Sequence, residues 1–190
     1  MEYTKKREKT RNLIERSFWD IYTNNGYKRV TVREICEKAG IHRSTFYSYY
    51  QSVSDVFDGI KEHQLSVIEE ITAVKNSSEK DFLSFLERIS SSYEENSYFL
   101  KPLLIERHSA SFSEQYRLKL KNALRRDSRM SECESGSAED EIVEIVLTGF
   151  VEAFIQCLGA EKIRLPETWP FAYQIMEKGV KPALAENFGL

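Results

Sequence analysis

Glycine is scarce in this chain, eight in 190 residues, and none of it forms a phosphate-cradling loop or a Gly-x-Ser-x-Gly elbow. Cysteine is scarcer still. Cys36, Cys133 and Cys157 are odd in number, widely spaced and without a Cys-x-x-Cys pair, which suits reduced thiols in a cytosol rather than a disulfide framework. Cys36 and Cys157 read as packing residues and Cys133, in a polar stretch, as the exposed one. The histidines His42, His63 and His108 are isolated, so the spacing of a metal site is missing. Acidic pairs such as Glu69-Glu70 and Glu94-Glu95 diverge around a helix and cannot converge on a substrate. Neither catalysis, nor a metal, nor a cofactor is therefore expected. No apolar segment follows the early lysines, and no uninterrupted apolar run approaches about 18 residues. Neither a secretory leader nor a membrane span is expected, and the chain reads as cytoplasmic.

What is present is unevenly distributed. Net charge is −3, yet residues 1–51 hold 11 Lys and Arg against 6 Asp and Glu, a balance of +5. The remainder holds 16 against 24, a balance of −8. A basic N-terminal third on an acidic body fits a nucleic-acid reader joined to a separate domain. Length and an apolar content of 41% allow a sizeable core.

Residues 31–50 carry the sharpest signal. Thr31 and Glu34 form the pattern of a capping box. Ile35 and Ala39 give the helix that follows an apolar face, and Gly40 stands where it must stop. Ile41 plugs the turn, and a second helix is expected from about His42 to Tyr50. Phe46 and Tyr50 face inward; Arg43, Ser44 and Tyr47 make a short, polar, basic outer face. This is a helix-turn-helix whose second helix can lie in a DNA major groove. Upstream, Leu13, Ile14, Phe18, Ile21 and Tyr22 recur at helical spacing. Downstream, Ser52-x-x-Asp55 opens a further helix. Arg33 and Arg43 can reach guanine edges bidentately, and Ser44 and Thr45 are short enough to approach bases. Thr31, Tyr47 and Tyr49 suit phosphate oxygens.

Taken together, Ile14, Tyr22, Gly26-Tyr27, Thr31 to Cys36, Ala39-Gly40-Ile41, Thr45-Phe46-Tyr47, Tyr50 and Val56-Phe57 closely resemble the N-terminal DNA-binding domain of the TetR/AcrR family of bacterial transcriptional regulators. The likeness covers roughly residues 8–60. It implies a DNA surface made of Thr31, Arg33, Arg43, Ser44, Thr45, Tyr47 and Tyr49. At the start of the helix after the recognition helix the family usually has a phosphate-holding lysine. Val53 stands there, so that contact is missing or has moved.

Beyond residue 60 no alternating strand pattern is sustained, and the expected fold class is all-α. An N-terminal three-helix DNA-binding domain, 1–52, precedes a helical effector-binding and dimerisation domain, 53–190. Helices are expected near 53–75, 80–95, 97–106, 112–130, 138–159 and 168–188, with Asn96-Ser97 as one of the breaks. Residues 142–158 and 169–188 are apolar over more than one face, which predicts burial on two sides and a homodimer through both helices, the alternative being a thick monomeric core. In the resembled family these last helices pair as a four-helix bundle, and a two-fold dimer reads a palindromic operator. The family also commonly holds a small effector among the central helices. His63, Phe85, Tyr98, His108 and Tyr116 are candidates to line such a hydrophobic site, although an aromatic stripe at helical spacing is more often plain core.

The favoured expectation is a ligand-responsive repressor binding double-stranded DNA as a homodimer. The alternatives are an activator or protein-regulated member of the same fold, and an all-helical small-molecule-binding protein or enzyme with a vestigial DNA-binding domain.

Overall fold

The structure, a computed structural model, describes residues 2–25, 30–73, 79–105, 109–127 and 136–159. Every regular element among them is helical, and the chain divides into two compact units, Met1–His63 and Gln64–Leu190. In order, the helices are α1 (Glu2–Asn24), α2 (Val32–Ala39), α3 (Arg43–Tyr47), α4 (Val53–Ala73) and α5 (Glu79–Leu100). A π-helical turn, Lys101–Ile105, then leads towards α6 (Ala110–Asp127) and α7 (Ala138–Gly159).

The first unit is built around α1. Ile14, Phe18 and Trp19 are buried on one stripe of that helix, whereas Leu13, expected inside, is 43% exposed. The aromatic rings of Phe18, Trp19 and Tyr22 all gather within about 6 Å of Phe57 on α4. At about 100° per residue, the stripe through Ile14, Phe18 and Tyr22 leaves Leu13 on the opposite side of the helix. From α2, Ile35, Cys36 and Ala39 complete this core, and Val56 and Ile60 enter it from α4.

Local sequence sets the ends of these elements. Thr31 and Glu34 form a reciprocal capping box, and Gly40 ends α2 in the left-handed region at φ 63°. Ser52 and Asp55 repeat the device at the start of α4: Asp55 N–H donates to Ser52 Oγ, and Asp55 accepts from the Gln51 and Ser52 amides. Ser137 does the same for α7, taking the Asp140 amide at 3.1 Å.

The second unit packs α5, the π turn, α6 and α7 with the later turns of α4. Phe85, Leu86, Ile89 and Tyr93 recur at helical spacing along α5 and are buried, as are Phe112, Tyr116 and Leu120 of α6, with Tyr93 near Tyr116. One sequence expectation fails here. The break at Asn96-Ser97 is absent, because Asn96 Nδ2 donates to Ser92 O and Ser97 Oγ to Glu94 O, folding both polar side chains back onto the helix. The helix instead widens at Lys101–Ile105, where Pro102 has no N–H to give the ladder.

α7 is long and apolar enough, by length and composition, to cross a membrane. Its flank nevertheless carries carboxylates that pair with α6. Arg117 Nε lies 2.7 Å from Glu152, Lys121 Nζ 2.6 Å from Glu144, and Arg125 meets both Asp140 and Glu144. Three cations at successive turns of α6 thus oppose carboxylates in reverse order on α7, the arrangement of an antiparallel helix pair. The helix expected near 168–188, and Cys133, lie outside the described residues.

Candidate DNA interface

The recognition segment is shorter than its sequence suggests. α3 spans only Arg43–Tyr47. Ser48 Oγ donates to Thr45 O at 2.7 Å, and the Tyr49 and Tyr50 amides both return to Phe46 O. The amides of Ser48 and Tyr49 reach back only three residues, to Thr45 O and Phe46 O, which tightens the last turn where the regular helix stops at Tyr47. Phe46 is fully buried and Tyr50 nearly so, as the spacing predicted.

Of the expected DNA-facing residues, Arg33 and Arg43 are brought together most clearly. Both line one groove across the helix-turn-helix, with Cys36, Glu37, Gly40, Ile41 and His42 between them. Arg33 is exposed and donates Nε to Glu37 Oε1 at 2.6 Å, a hydrogen bond that holds its already high pKa higher. Arg43 and Ser44 are exposed, and Thr45 is half-buried. Burial in the groove floor pushes the Cys36 thiol up, with Arg43 pulling the other way, so this cysteine stays a packing thiol.

Tyr47 is 56% exposed and meets Phe46 edge-on at 5.5 Å. Its ring rests on a buried neighbour while more than half of the residue stays open to solvent, which leaves it accessible to a phosphate. Tyr49 is half-buried beneath the Arg7 guanidinium, 5.7 Å from the ring centroid. Thr31 is exposed, but its hydroxyl is engaged with Glu34, accepting from the Glu34 amide and donating to Glu34 Oε2 at 2.7 Å. That bond holds the Glu34 carboxyl below its usual range. Val53 is half-buried at the first turn of α4 and offers nothing to a phosphate.

Sequence reasoning missed Glu37, whose i,i+4 relation to Arg33 was legible. It also missed the buried carboxylate of Glu15, which accepts from the Tyr50 hydroxyl at 2.5 Å and from Arg11 Nε at 2.8 Å. The Arg11–Glu15 spacing was visible, but the partner 35 residues away was not.

The candidate effector residues are placed less coherently. Phe85 and Tyr116 are buried in the second unit, with Phe112 and Tyr116 rings 5.9 Å apart. Burial, then the neighbouring Tyr93, pushes the Tyr116 phenol far up, so it stays neutral. Tyr98 lies 39% exposed against Phe99, and His63 is exposed on α4. His108 lies outside the described residues. Gln64 is buried, and among the described residues its Oε1 has no donor.

Comparison with known proteins bears on this site. Residues 20–60 match the model of the bacterial regulatory proteins of the tetR family. A stretch of 57 residues is 32% identical to the HTH-type dhaKLM operon transcriptional activator DhaS of Lactococcus lactis subsp. lactis (strain IL1403). That match spans 30% of this chain and only 30% of the relative's length. The fold is shared more widely. A TetR transcriptional regulator from Streptococcus agalactiae 2603V superposes with a TM-score of 0.60 at 23% identity, over 93% of this chain and 97% of that one. A solved dihydroxyacetone kinase operon activator DhaS gives 0.58 at 18% identity, over 90% and 96%.

Proposed function

We propose that the chain is a DNA-binding regulator of the bacterial TetR family and, more specifically, a cytoplasmic, ligand-responsive repressor that binds a palindromic operator as a homodimer. The observation that carries the DNA-reading part is the shared groove of Arg33 and Arg43 beside an exposed α3. Each guanidinium can take a guanine edge bidentately, and Ser44 and Thr45 follow on the same short helix. Tyr47, Tyr49 and Thr31 fix the protein on the phosphates. Repression needs nothing more than occupancy of a site that polymerase requires, which makes it the reading with the fewest additional contacts.

A small, largely apolar effector bound in the second unit would regulate occupancy only if its affinity differs between the DNA-bound and DNA-free conformations. Gln64 supports such a site, because its buried carbonyl oxygen can accept a hydrogen bond from a ligand. Nothing in this reading assigns the chain a catalytic step.

A second reading, activation, is favoured by the Lactococcus relative, a transcriptional activator that is 32% identical to this chain over 57 residues. The same domain can recruit rather than exclude polymerase, so the sign lies outside the DNA surface.

The test is selection of duplexes from a randomised pool by the full-length protein, then footprinting and transcription in vitro from a promoter bearing the selected site. An enriched palindrome, bound with steep salt dependence, supports the reading. Transcription that falls on binding gives repression, and transcription that rises gives activation. No enrichment over mixed-sequence DNA overturns sequence-specific regulation.

A further inference from the structure

A helix of five residues cannot hold its own direction in water, since it contains little more than one turn. α3 also begins without help, because His42 at its N-cap makes no side-chain capping bond. Its course must be set by the side chains that anchor it. Phe46 is fully buried, but an apolar ring tolerates rotation. The directional anchor is Tyr50. Its hydroxyl donates to Glu15 Oε1 at 2.5 Å and accepts from Arg11 Nε at 3.2 Å, while Arg11 Nε also donates to that same carboxylate oxygen at 2.8 Å.

The three groups therefore close a ring between α1 and the end of the recognition segment. Glu15 is 6% exposed, so its carboxylate depends on these partners rather than on bulk water for its hydrogen bonds. Burial, and then the bond to Glu15, raises the Tyr50 phenol, which keeps its proton available as the donor. α4 seats the ring from the other side. A Cβ at Gly59 would stand 3.2 Å from Tyr50 Cε1, tighter than most such contacts, and 3.5 Å from its hydroxyl, an ordinary contact distance.

We propose that Arg11, Glu15 and Tyr50 are positioning residues, a polar strut that fixes the direction of α3 so that its exposed side chains meet the major groove in one register. This rests on the DNA-reading role proposed above. None of the three needs to touch DNA. The strut holds α3 by bonds that have a direction, where an apolar contact of equal size would leave it free to rock. Sequence discrimination should suffer more than general affinity, because base contacts demand register and phosphate contacts do not.

Tyr50→Phe is the informative change, since it keeps the ring against Gly59 and removes only the hydroxyl. Two measurements on full-length protein decide the matter. Amide hydrogen exchange over residues 43–50, without DNA, should quicken in Tyr50→Phe. It should not quicken in Ile14→Val, a control that weakens the same core without touching the strut. With a duplex selected on the wild type and a mixed-sequence duplex of equal length, Tyr50→Phe should lose about tenfold in discrimination, the scale of one hydrogen bond to a charged group. Glu15→Gln, which keeps an acceptor and loses the charge, should fall between. Unchanged exchange in Tyr50→Phe overturns the strut whatever the DNA result. Equal loss of discrimination in Ile14→Val also overturns it, by reducing the effect to stability. If the wild type selects no duplex while exchange still quickens, the strut stands and the operator-reading role falls.

Discussion

Arg33 donates its Nε to Glu37 Oε1 one turn further along α2, at 2.6 Å, with both side chains largely in solvent. Pairs this exposed contribute little and weaken with salt, so Arg33 can exchange Glu37 for a better acceptor at small cost. Glu37 also lines the groove between Arg33 and Arg43, where its charge opposes any approaching phosphate. Glu37→Gln is expected to tighten binding to mixed-sequence DNA at low salt and to leave the preferred sequence unchanged. Fluorescence anisotropy across a salt series checks this. Weaker binding by the variant would show that Glu37 instead holds Arg33 ready for a base.

Arg43 and Tyr47 should separate in their effects. Arg43→Ala should relax sequence preference by about 1–3 kcal/mol at one or two positions of the site, the scale of a bidentate guanine contact. Tyr47→Phe should weaken all duplexes alike, because a hydroxyl on a phosphate carries no base information. Competition between the selected duplex and single-base variants distinguishes the two. If Arg43→Ala keeps both affinity and preference, α3 is not the reading helix.

Much of the helix-turn-helix was legible because it is written locally. Thr31 and Glu34 are three residues apart, Gly40 stops the helix they begin, and Ile35, Ala39, Phe46 and Tyr50 follow helical spacing into the core. What the pattern could not carry is non-local or competitive. The partner of Glu15 is a tyrosine on another element, and the cations of α6 meet carboxylates of α7 only once the two helices lie antiparallel. Asn96 and Ser97 look like helix breakers, yet their side chains can also bond the preceding turn, and here packing decided for the helix. α3 erred in the other direction: its apolar spacing continues to Tyr50, while Ser48 ends the regular turn.

Gly40 offers a clean stability test. Its φ of 63° is the left-handed region, its N–H returns to Cys36 O and Glu37 O, and a Cβ placed on it would meet nothing within 4 Å. The cost of Gly40→Ala is therefore conformational alone, about 1 kcal/mol. For a chain of this size that lowers Tm by about 2–4 °C. Gly40→Asn should cost less, since asparagine tolerates this region. Thermal unfolding by circular dichroism decides it, and equal losses for both variants would point to a contact rather than to backbone conformation.

The α6–α7 ladder predicts acid sensitivity of the second unit. The Gly136 amide, then Arg125, holds the Asp140 carboxyl below its ordinary 3.8. Lys121, then Arg125, holds Glu144 below its ordinary 4.5. Carboxyls depressed on folding contribute stability above their unfolded values and lose it as pH falls through the folded ones. Tm should thus drop as pH falls below about 4.5, and Arg125→Gln should flatten that drop while lowering Tm near neutrality. An acid slope unchanged in Arg125→Gln would mean that other carboxylates set it.

The homodimer rests on the breadth of the apolar surface of α7. Val143, Leu147, Val151, Phe154, Ile155 and Leu158 are all buried within the subunit. Phe154 is only 2% exposed, so a charge there would disrupt the fold before it reported on any partner, and Ile175 lies outside the described residues. Ile145 is the informative position. It is 71% exposed, and Thr148, Gly149 and Ala153 continue the same outer face with small side chains that admit a close neighbour. Ile145→Glu should leave Tm within a few degrees while shifting the protein from dimer to monomer at micromolar concentration in light scattering. Affinity for a full palindrome should fall steeply, because two reading heads no longer act together, while affinity for a half-site duplex stays as in the wild type. A wild-type protein that is monomeric at that concentration removes the palindrome argument with the dimer. A dimer untouched by Ile145→Glu would place the interface on a face other than this one.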